Sequence, residues 1–306
     1  MNVHDWALIA FTILVQMSVG AIWVLLLAHL FAARKHGAEA ADRLSDRALY
    51  ALIPVIALGF LASLFHLGNP FSAYRAVTNL GSSWLSREIL FGVIFAVLAT
   101  VYAFMQWRKI GSGGLRNVIA WLAGIDGLVL VYCMARVYML EAQPAWNTWA
   151  TPVSFYATAF LLGVLAMGAA FVANYSYMQR KQPGCADEQC TLMRETLRWI
   201  ALAAMILLGV ELVVLPVYLV SVASASTAGY ATIELMSGSL GWLLILRVAL
   251  VFLGAGVFGL FLYQNATSAG KEKAIGNIAY LAFIVVLAAE VLGRVLFYIS
   301  HIRVGI

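Results

Sequence analysis

An apolar fraction of 63% and a charged fraction of 11% over 306 residues exclude an ordinary soluble domain, in which roughly half of the residues are apolar and about a quarter are charged. The formal net charge of +5 would suit nucleic-acid binding, but most Lys and Arg residues stand in short segments between apolar runs rather than on one basic face. The composition therefore predicts an integral membrane protein without a nucleic-acid partner.

Eight apolar runs are long enough to cross a bilayer, since a helical crossing needs roughly 20 mainly apolar residues. They lie near 6–33, 48–68, 88–107, 115–140, 150–178, 196–223, 239–263 and 275–300. No run alternates with a period of two, and lipid offers no partner to backbone polar groups, so each run is predicted to be a helix. The sequence thus predicts an all-α integral membrane protein, a bundle of eight transmembrane helices that forms a single membrane domain over residues 1–306.

The basic residues orient this bundle. The segments after the second, fourth, sixth and eighth runs carry only three basic residues, Arg75, Arg87 and Arg303. The segments after the first, third, fifth and seventh runs carry 13 of the 19 Lys and Arg residues, namely Arg34, Lys35, Arg43, Arg47, Arg108, Lys109, Arg116, Arg180, Lys181, Arg194, Arg198, Lys271 and Lys273. Because cytoplasmic loops carry the Lys and Arg excess, both termini are predicted to face outward.

Ionisable residues inside the apolar runs collect in the predicted outer half of the membrane. His66 ends the second run and Glu88 begins the third, and the others are Arg136, Glu211, Arg247, Glu290 and Arg294. A charge at the centre of a spanning helix costs roughly 2.5–3.5 kcal/mol, so such residues usually mark function or pair with one another. Their convergence at one depth favours a functional site there.

These charges also have a purely structural interpretation. Glu290 and Arg294 are four residues apart, the spacing of neighbours on one helix face, so they could neutralise each other. Arg136, Arg247 and Glu211 could likewise pair across the bundle. The sequence leaves both interpretations open, and it assigns no role to Glu211 or Arg247.

The histidine at the end of the second run has a structural interpretation as well. The Gly-Asn-Pro segment at 68–70 would end the helix directly after His66, which could then be a solvated helix-end residue. The nearness of Glu88 along the predicted bundle favours function for the two together. Asp126, near the middle of the fourth run, stays unassigned.

Ligands for a metal centre are sparse. Cys133 lies inside an apolar run, and Cys185 and Cys190 share a loop without a histidine set, so no zinc or iron–sulfur site is predicted. A haem held by His66 and His301 is conceivable, but His301 lies at the extreme end of the last run. We therefore expect no metal, haem or iron–sulfur cluster in this protein.

Several motifs match one known family. The sequence resembles the membrane anchor subunits of the dimethyl sulfoxide reductase family, most specifically in its first half and at its C-terminal end, and more weakly across the sixth and seventh runs. The matching segments are His66-Leu67-Gly68-x-Pro70, Ser86-x-Glu88-Ile89, Arg136-Val137-Tyr138, Trp146-x-x-Trp149-x-Thr151-Pro152 and Glu290-x-x-Gly293-Arg294-x-x-Phe297-Tyr298-x-x-His301.

The resemblance implies a quinol-oxidising subunit of a respiratory complex in the inner membrane of a prokaryote. Such anchors bind menaquinol and hold an iron–sulfur subunit, which passes electrons to a molybdopterin subunit. Oxidising a quinol releases protons, so the site needs a base and a route to water. We expect His66 to accept the proton and Glu88 to deliver it outward. The expected quinol pocket comprises His66, Glu88, Arg136, Tyr138, Glu290 and Arg294.

An outer site implies that the iron–sulfur partner docks on the outer face, because electron transfer needs a short distance. The expected platform comprises loops 69–87, 141–149 and 224–238, with Trp84, Trp146 and Trp149. Two other functions remain open: a secondary transporter, whose site would lie near the midplane on broken helices, and a passive anchor in which the charges only hold the bundle together.

Overall fold

The computed structural model describes residues 3–66, 78–181, 187–266, 268 and 271–304, apart from a few side chains within these ranges. This part of the protein is helical and contains no strand. The α-helices are α1 (Val3–His36), α2 (Ala38–His66), α3 (Trp84–Arg108), α4 (Gly113–Tyr138), α5 (Ala150–Lys181), α6 (Asp187–Ala225), α7 (Thr227–Ser237), α8 (Gly241–Val251), α9 (Gly259–Asn265) and α10 (Glu272–Ile299). A π-helical turn, Phe252–Phe258, joins α8 to α9.

Seven stretches of the described residues are long and apolar enough to cross a membrane, and α2 adds the shorter apolar stretch Leu49–Phe65. The seventh predicted run corresponds to α8, the π-helical turn and α9 taken together as Gly241–Asn265. The prediction of an all-α membrane protein is confirmed. Helix occupies most of 34–47, the segment between the first two predicted runs, because α2 begins at Ala38 with strong helix formers.

The first and fifth helices form the centre of the bundle. α1 packs against α2, α4 and α5, while α10 packs against α5 and α8. A Cβ atom on Gly20 would lie 1.9 Å from the carbonyl oxygen of Ala159, and one on Gly163 would lie 2.3 Å from the carbonyl carbon of Gly20. The two backbones therefore approach closely only because both positions lack a side chain, as small residues allow in membrane bundles.

Polar contacts show which helix ends meet at one end of the bundle, called here the basic end. Lys109, which follows α3, lies 2.7 Å from Asp46 and 3.3 Å from Asp42 on α2. Gln106 donates to Asp42 at 2.9 Å and to Asp46 at 2.8 Å. Arg116 on α4 lies 3.5 Å from Asp42. The segments after α1 and α3 thus meet at the same end, as the alternating topology requires.

The opposite end is called here the C-terminal end, since α4 ends there at Tyr138 and α10 at Ile299. Segment 224–238, predicted to be a loop, is mostly the helix α7 (Thr227–Ser237). Its N-cap is Ser226, whose hydroxyl accepts a hydrogen bond from the Gly229 amide at 3.0 Å. The segment was predicted to be a loop because it lies between two long apolar runs, whereas the capping serine starts a separate short helix.

Candidate functional site

A cavity of about 110 Å³ lies between α5, α6, α8 and α10 and reaches toward the C-terminal end of the bundle. Four ionisable side chains, Glu211, Arg247, Glu290 and Arg294, line it. A charged cavity within a membrane bundle is a functional-site hypothesis by default, because unused charge at this depth is costly.

Glu290 is held in this cavity by a neighbouring helix and not by its own. Arg247 Nη2 donates to Glu211 Oε2 at 3.1 Å and lies 3.5 Å from Glu290 Oε1. The second oxygen of Glu290 accepts a hydrogen bond from the Thr158 hydroxyl at 2.6 Å. Arg247 reaches across α10 over Gly293, where a Cβ atom would lie 2.4 Å from Arg247 Nε. One guanidinium thus joins two carboxylates from α6 and α10.

Arg294 has different partners. Its Nη2 donates to Gln16 Oε1 at 2.8 Å, and its guanidinium carbon lies 4.0 Å from the centre of the Phe155 ring, which is cation–π geometry. Among the described residues it has no carboxylate within ion-pair distance. The i, i+4 pairing of Glu290 with Arg294, which the sequence left open, is therefore not observed, whereas the pairing of Arg247 with Glu211 is.

An aromatic cluster fixes the C-terminal end of α10 to α4 and the α4–α5 link. The hydroxyl groups of Tyr138 and Tyr298 lie 2.6 Å apart, and Trp146 Nε1 donates to the Phe297 carbonyl at 2.8 Å. The Trp146 ring stacks on Phe297 and lies 4.3 Å from His301, centre to centre. Trp146 is buried, so its predicted place on a docking rim is wrong: its indole holds the bundle together.

Glu88 lies in the second turn of α3, buried with 8% of its surface exposed. It has neither a hydrogen bond nor an ion pair with any residue that the structure describes. The helix begins at Trp84, earlier than the predicted start at 88, because the Ser83 hydroxyl caps it by accepting from the Ser86 amide at 3.2 Å. The carboxylate lies within electrostatic range of Tyr138 and Tyr298.

Arg136 lies on the α3–α4 side of the bundle. Its guanidinium carbon lies 4.8 Å from the Trp84 ring centre, and that of Arg87 lies 4.2 Å from the same ring. Arg87 also donates to the carbonyls of Leu80 and Gly81, each at 2.8 Å. Arg136 Nε is buried without a hydrogen-bond partner among the described residues. Arg136 therefore belongs with α3 and does not pair with Glu211.

The structure divides the predicted pocket. Glu290 and Arg294 line the cavity, while Glu88 and Arg136 lie toward α3 and α4, with Tyr138 between the two groups. The side chain of His66 lies outside the described residues, as do the Leu67-Gly68-x-Pro70 segment, the platform residues 69–77 and the side chains of Cys185 and Cys190.

The sequence missed the parts of the cavity that depend on helix rotation. Glu211 and Arg247 stood out as charges in apolar runs, but nothing local shows that Arg247 pairs with both Glu211 and Glu290. Thr158 and Gln16 gave only the weak signal of a polar residue within a span. Asp126 stays without a role: one of its carboxylate oxygens is buried with no partner in the described part of the protein. Nor do the described residues contain three or more His, Cys, Asp or Glu side chains grouped to hold a metal.

Residues 1–299 match the family described as DMSO reductase anchor subunit (DmsC). The sequence is 28% identical to one of the chains of anaerobic dimethyl sulfoxide reductase from Escherichia coli (strain K12), and the match covers 99% of this protein and 96% of that one. It is 29% identical to the anaerobic dimethyl sulfoxide reductase chain YnfH of the same organism, with the same coverage. Over 56% of its length it is 32% identical to a sulfite dehydrogenase subunit of Allochromatium vinosum, of which 54% is covered.

Proposed function

This protein belongs to the family of dimethyl sulfoxide reductase anchor subunits, and from that premise we propose that it oxidises menaquinol in the membrane. The electrons pass to an iron–sulfur subunit and then to a molybdopterin reductase subunit of the dimethyl sulfoxide reductase type. The anchor itself supplies the quinol site and carries no haem and no iron–sulfur cluster. It lies in the inner membrane of a prokaryote as part of an anaerobic electron-transport complex.

The observation that carries this proposal is the unpaired state of Glu88. Glu211 and Glu290 are each compensated by Arg247, which is what a structural role requires of a buried carboxylate. Glu88 is equally shielded from solvent but has no compensating partner among the described residues. A carboxylate kept in that state is suited to take up and release a proton, because no ion pair has to be broken when its charge changes.

The proposed chemistry starts from what quinol oxidation requires. Quinol oxidation gives up two electrons and two protons, so a base must lie at the quinol hydroxyl. Histidine changes its protonation state near neutral pH, which suits His66 to accept the proton. Glu88 then delivers the proton to the exterior. Arg136 and Tyr138 line the pocket on the α4 side.

The remaining predicted pocket residues connect to this centre through the tyrosine pair. Tyr138 contacts Tyr298 hydroxyl to hydroxyl. Tyr298 follows Arg294 by four residues on α10, and this spacing places the two on one helix face. We therefore keep Glu290 and Arg294 in the proposed quinol-binding region, on its α10 side.

The partner subunits are proposed to dock on the outer face, at the C-terminal end of the bundle. The surface there comprises residues 78–87, the α4–α5 link at 141–149 and the helix α7. Trp149 is half exposed, at 50%, and fits the rim of an interface, where aromatic residues are enriched.

The test is quinol-linked turnover by the assembled complex. His66→Ala is expected to lower the rate with a menaquinol analogue by about 10²–10⁴-fold, the usual contribution of one positioned acid–base group. Turnover with a soluble artificial donor should be unchanged, since those electrons bypass the anchor. A complex that assembles but shows no quinol-linked reduction in the wild type would instead indicate a passive anchor. Substrate uptake by the anchor alone would indicate a transporter.

A further inference from the structure

The cavity between α5, α6, α8 and α10 contains side chains that the His66–Glu88 proton path does not use. It carries two carboxylates, Glu211 and Glu290, and two guanidinium groups, Arg247 and Arg294. These formal charges sum to zero. A site of this kind gives little advantage to an anion or a cation, and it suits a neutral ligand that both donates and accepts hydrogen bonds.

Two polar atoms of the cavity-lining residues are left over within the described part of the bundle. Glu211 Oε1 and Arg247 Nε are both buried without a hydrogen-bond partner, although each residue forms the ion pair through its other atoms. An unsatisfied buried polar group destabilises the fold unless a ligand or water pairs with it. One spare acceptor and one spare donor on adjacent helices therefore mark a place for a ligand or for water.

The rest of the lining combines apolar side chains, among them Val214, Leu244 and Phe297, with five hydroxyl-bearing residues, namely Thr151, Ser154, Thr158, Tyr218 and Ser300. The volume of about 110 Å³ corresponds to roughly eight waters, at about 10–15 Å³ of such space for each. This is the bulk of a small ring system. Apolar walls around a few fixed polar groups are the usual composition of a small-molecule pocket.

The helices beside this cavity are irregular at the level of the charged residues. Pro216, in α6, cannot donate to the carbonyl of Leu212, next to Glu211. The π-helical turn Phe252–Phe258 begins five residues after Arg247. Irregular turns of this kind occur often at functional sites in helices. Their position argues against a charge pair whose only role is to join two regular helices.

We propose that this cavity is a second binding site for the ring of a quinol-class molecule, with Glu211 accepting from a ring hydroxyl and Arg247 donating to a ring oxygen. The inference rests on the proposed function, because it takes the ligand class from quinol oxidation. It assigns binding and not proton transfer to Glu211 and Arg247. The pocket reaches α7 through Met236, so the ring enters near the C-terminal end of the bundle.

Photolabelling of the assembled complex tests the proposal. The probe is a 1,4-naphthoquinol that carries a diazirine group and no isoprenoid tail and is kept reduced under anaerobic conditions, and the labelled peptides are mapped by mass spectrometry. Saturable label is expected on the peptide that contains 211–218, which lines only this cavity, and unlabelled naphthoquinol should compete with it. Glu211→Gln should raise the probe concentration for half-maximal labelling there by about 10- to 100-fold, the loss expected for one hydrogen bond to a charged group.

Glu39→Gln is the matched control, since Glu39 is exposed on α2 at the basic end of the bundle and does not line the cavity. Its labelling should equal that of the wild type. Label confined to peptides from 78–138 and 290–297, in a complex that oxidises quinol normally, overturns the second site and leaves the proposed function intact. Competed label in the cavity of a wild-type complex that lacks quinol-linked turnover supports the site and removes the proposed function.

Discussion

Glu290 is paired with Arg247 on the neighbouring span, 3.5 Å from its guanidinium, and not with Arg294, which follows four residues later on the same helix. Arg247 at the same time holds Glu211 at 3.1 Å. One arginine therefore compensates two carboxylates and joins α6, α8 and α10. The two arginines of the cavity should consequently differ in what their loss does to the protein.

Arg247→Leu is expected to lower the amount of folded anchor in the membrane strongly. The substitution leaves Glu211 and Glu290 buried without a cation, and breaking a buried pair by removing one partner costs about 3–5 kcal/mol. The amount of anchor extracted in monodisperse form measures the effect. Arg303→Leu is the control, because Arg303 is exposed beyond the end of α10 and its loss should change nothing.

Arg294→Leu is expected to lower the protein level less than Arg247→Leu does. Glu290 keeps Arg247 and Thr158 in this variant, and the loss is limited to the Gln16 hydrogen bond and the contact with the Phe155 ring, each of which is worth about 1–3 kcal/mol. The amounts of the two variants in the membrane, expressed in parallel, are compared to test this. An equal or greater loss for Arg294→Leu would mean that Arg294 is the main counter-ion of Glu290.

Gly163→Ala should separate α1 from α5 and destabilise the bundle by about 1–3 kcal/mol or more, the usual cost of overpacking a close interface. The added methyl group would meet the backbone of Gly20 at 2.3 Å, and backbone cannot move aside as the far end of a flexible side group does. Thermal denaturation in detergent measures the change. Gly209→Ala is the matched control, because a Cβ atom at Gly209 meets nothing within 4 Å; equal denaturation midpoints would contradict the close-packing argument.

The helices were predictable because the length of an apolar run is a local property of the sequence. The Glu290 pairing was not, since Arg247 and Arg294 are both compatible with the sequence and the choice depends on how α8 and α10 are rotated. The same reason hid the contact of Gly20 with Gly163, which joins positions far apart in sequence. The helix α7 was missed because its short segment lies between two long apolar runs, which suggested a loop, although Ser226 is a recognisable N-cap.

The excess of basic residues at one end of the bundle predicts its orientation in the membrane. A reporter fused within 109–112, between α3 and α4, should lie in the cytoplasm, and a reporter fused after Ile306 should lie outside. Paired alkaline-phosphatase and fluorescent-protein fusions measure both sides. The reverse pattern would place Glu88 and the cavity at the cytoplasmic face and would move the proposed docking surface with them.

Glu88→Gln tests whether the unpaired carboxylate takes part in proton transfer. Glutamine keeps the shape of the side chain but cannot take up the proton, so quinol-linked turnover should fall, by less than the factor of about 10²–10⁴ expected for the primary base His66. The amount of complex should not fall, because Glu88 has no partner to lose among the described residues. Turnover with a soluble donor should also be unchanged.

Glu39→Gln is the matched control for this prediction. Glu39 is an exposed glutamate on α2 at the basic end of the bundle, so its substitution removes the same charge without touching the buried site or the proposed docking surface. Its quinol-linked turnover should equal that of the wild type. If Glu88→Gln reduces only the amount of complex, and each remaining complex oxidises quinol at the normal rate, then Glu88 supports the structure and does not carry the proton.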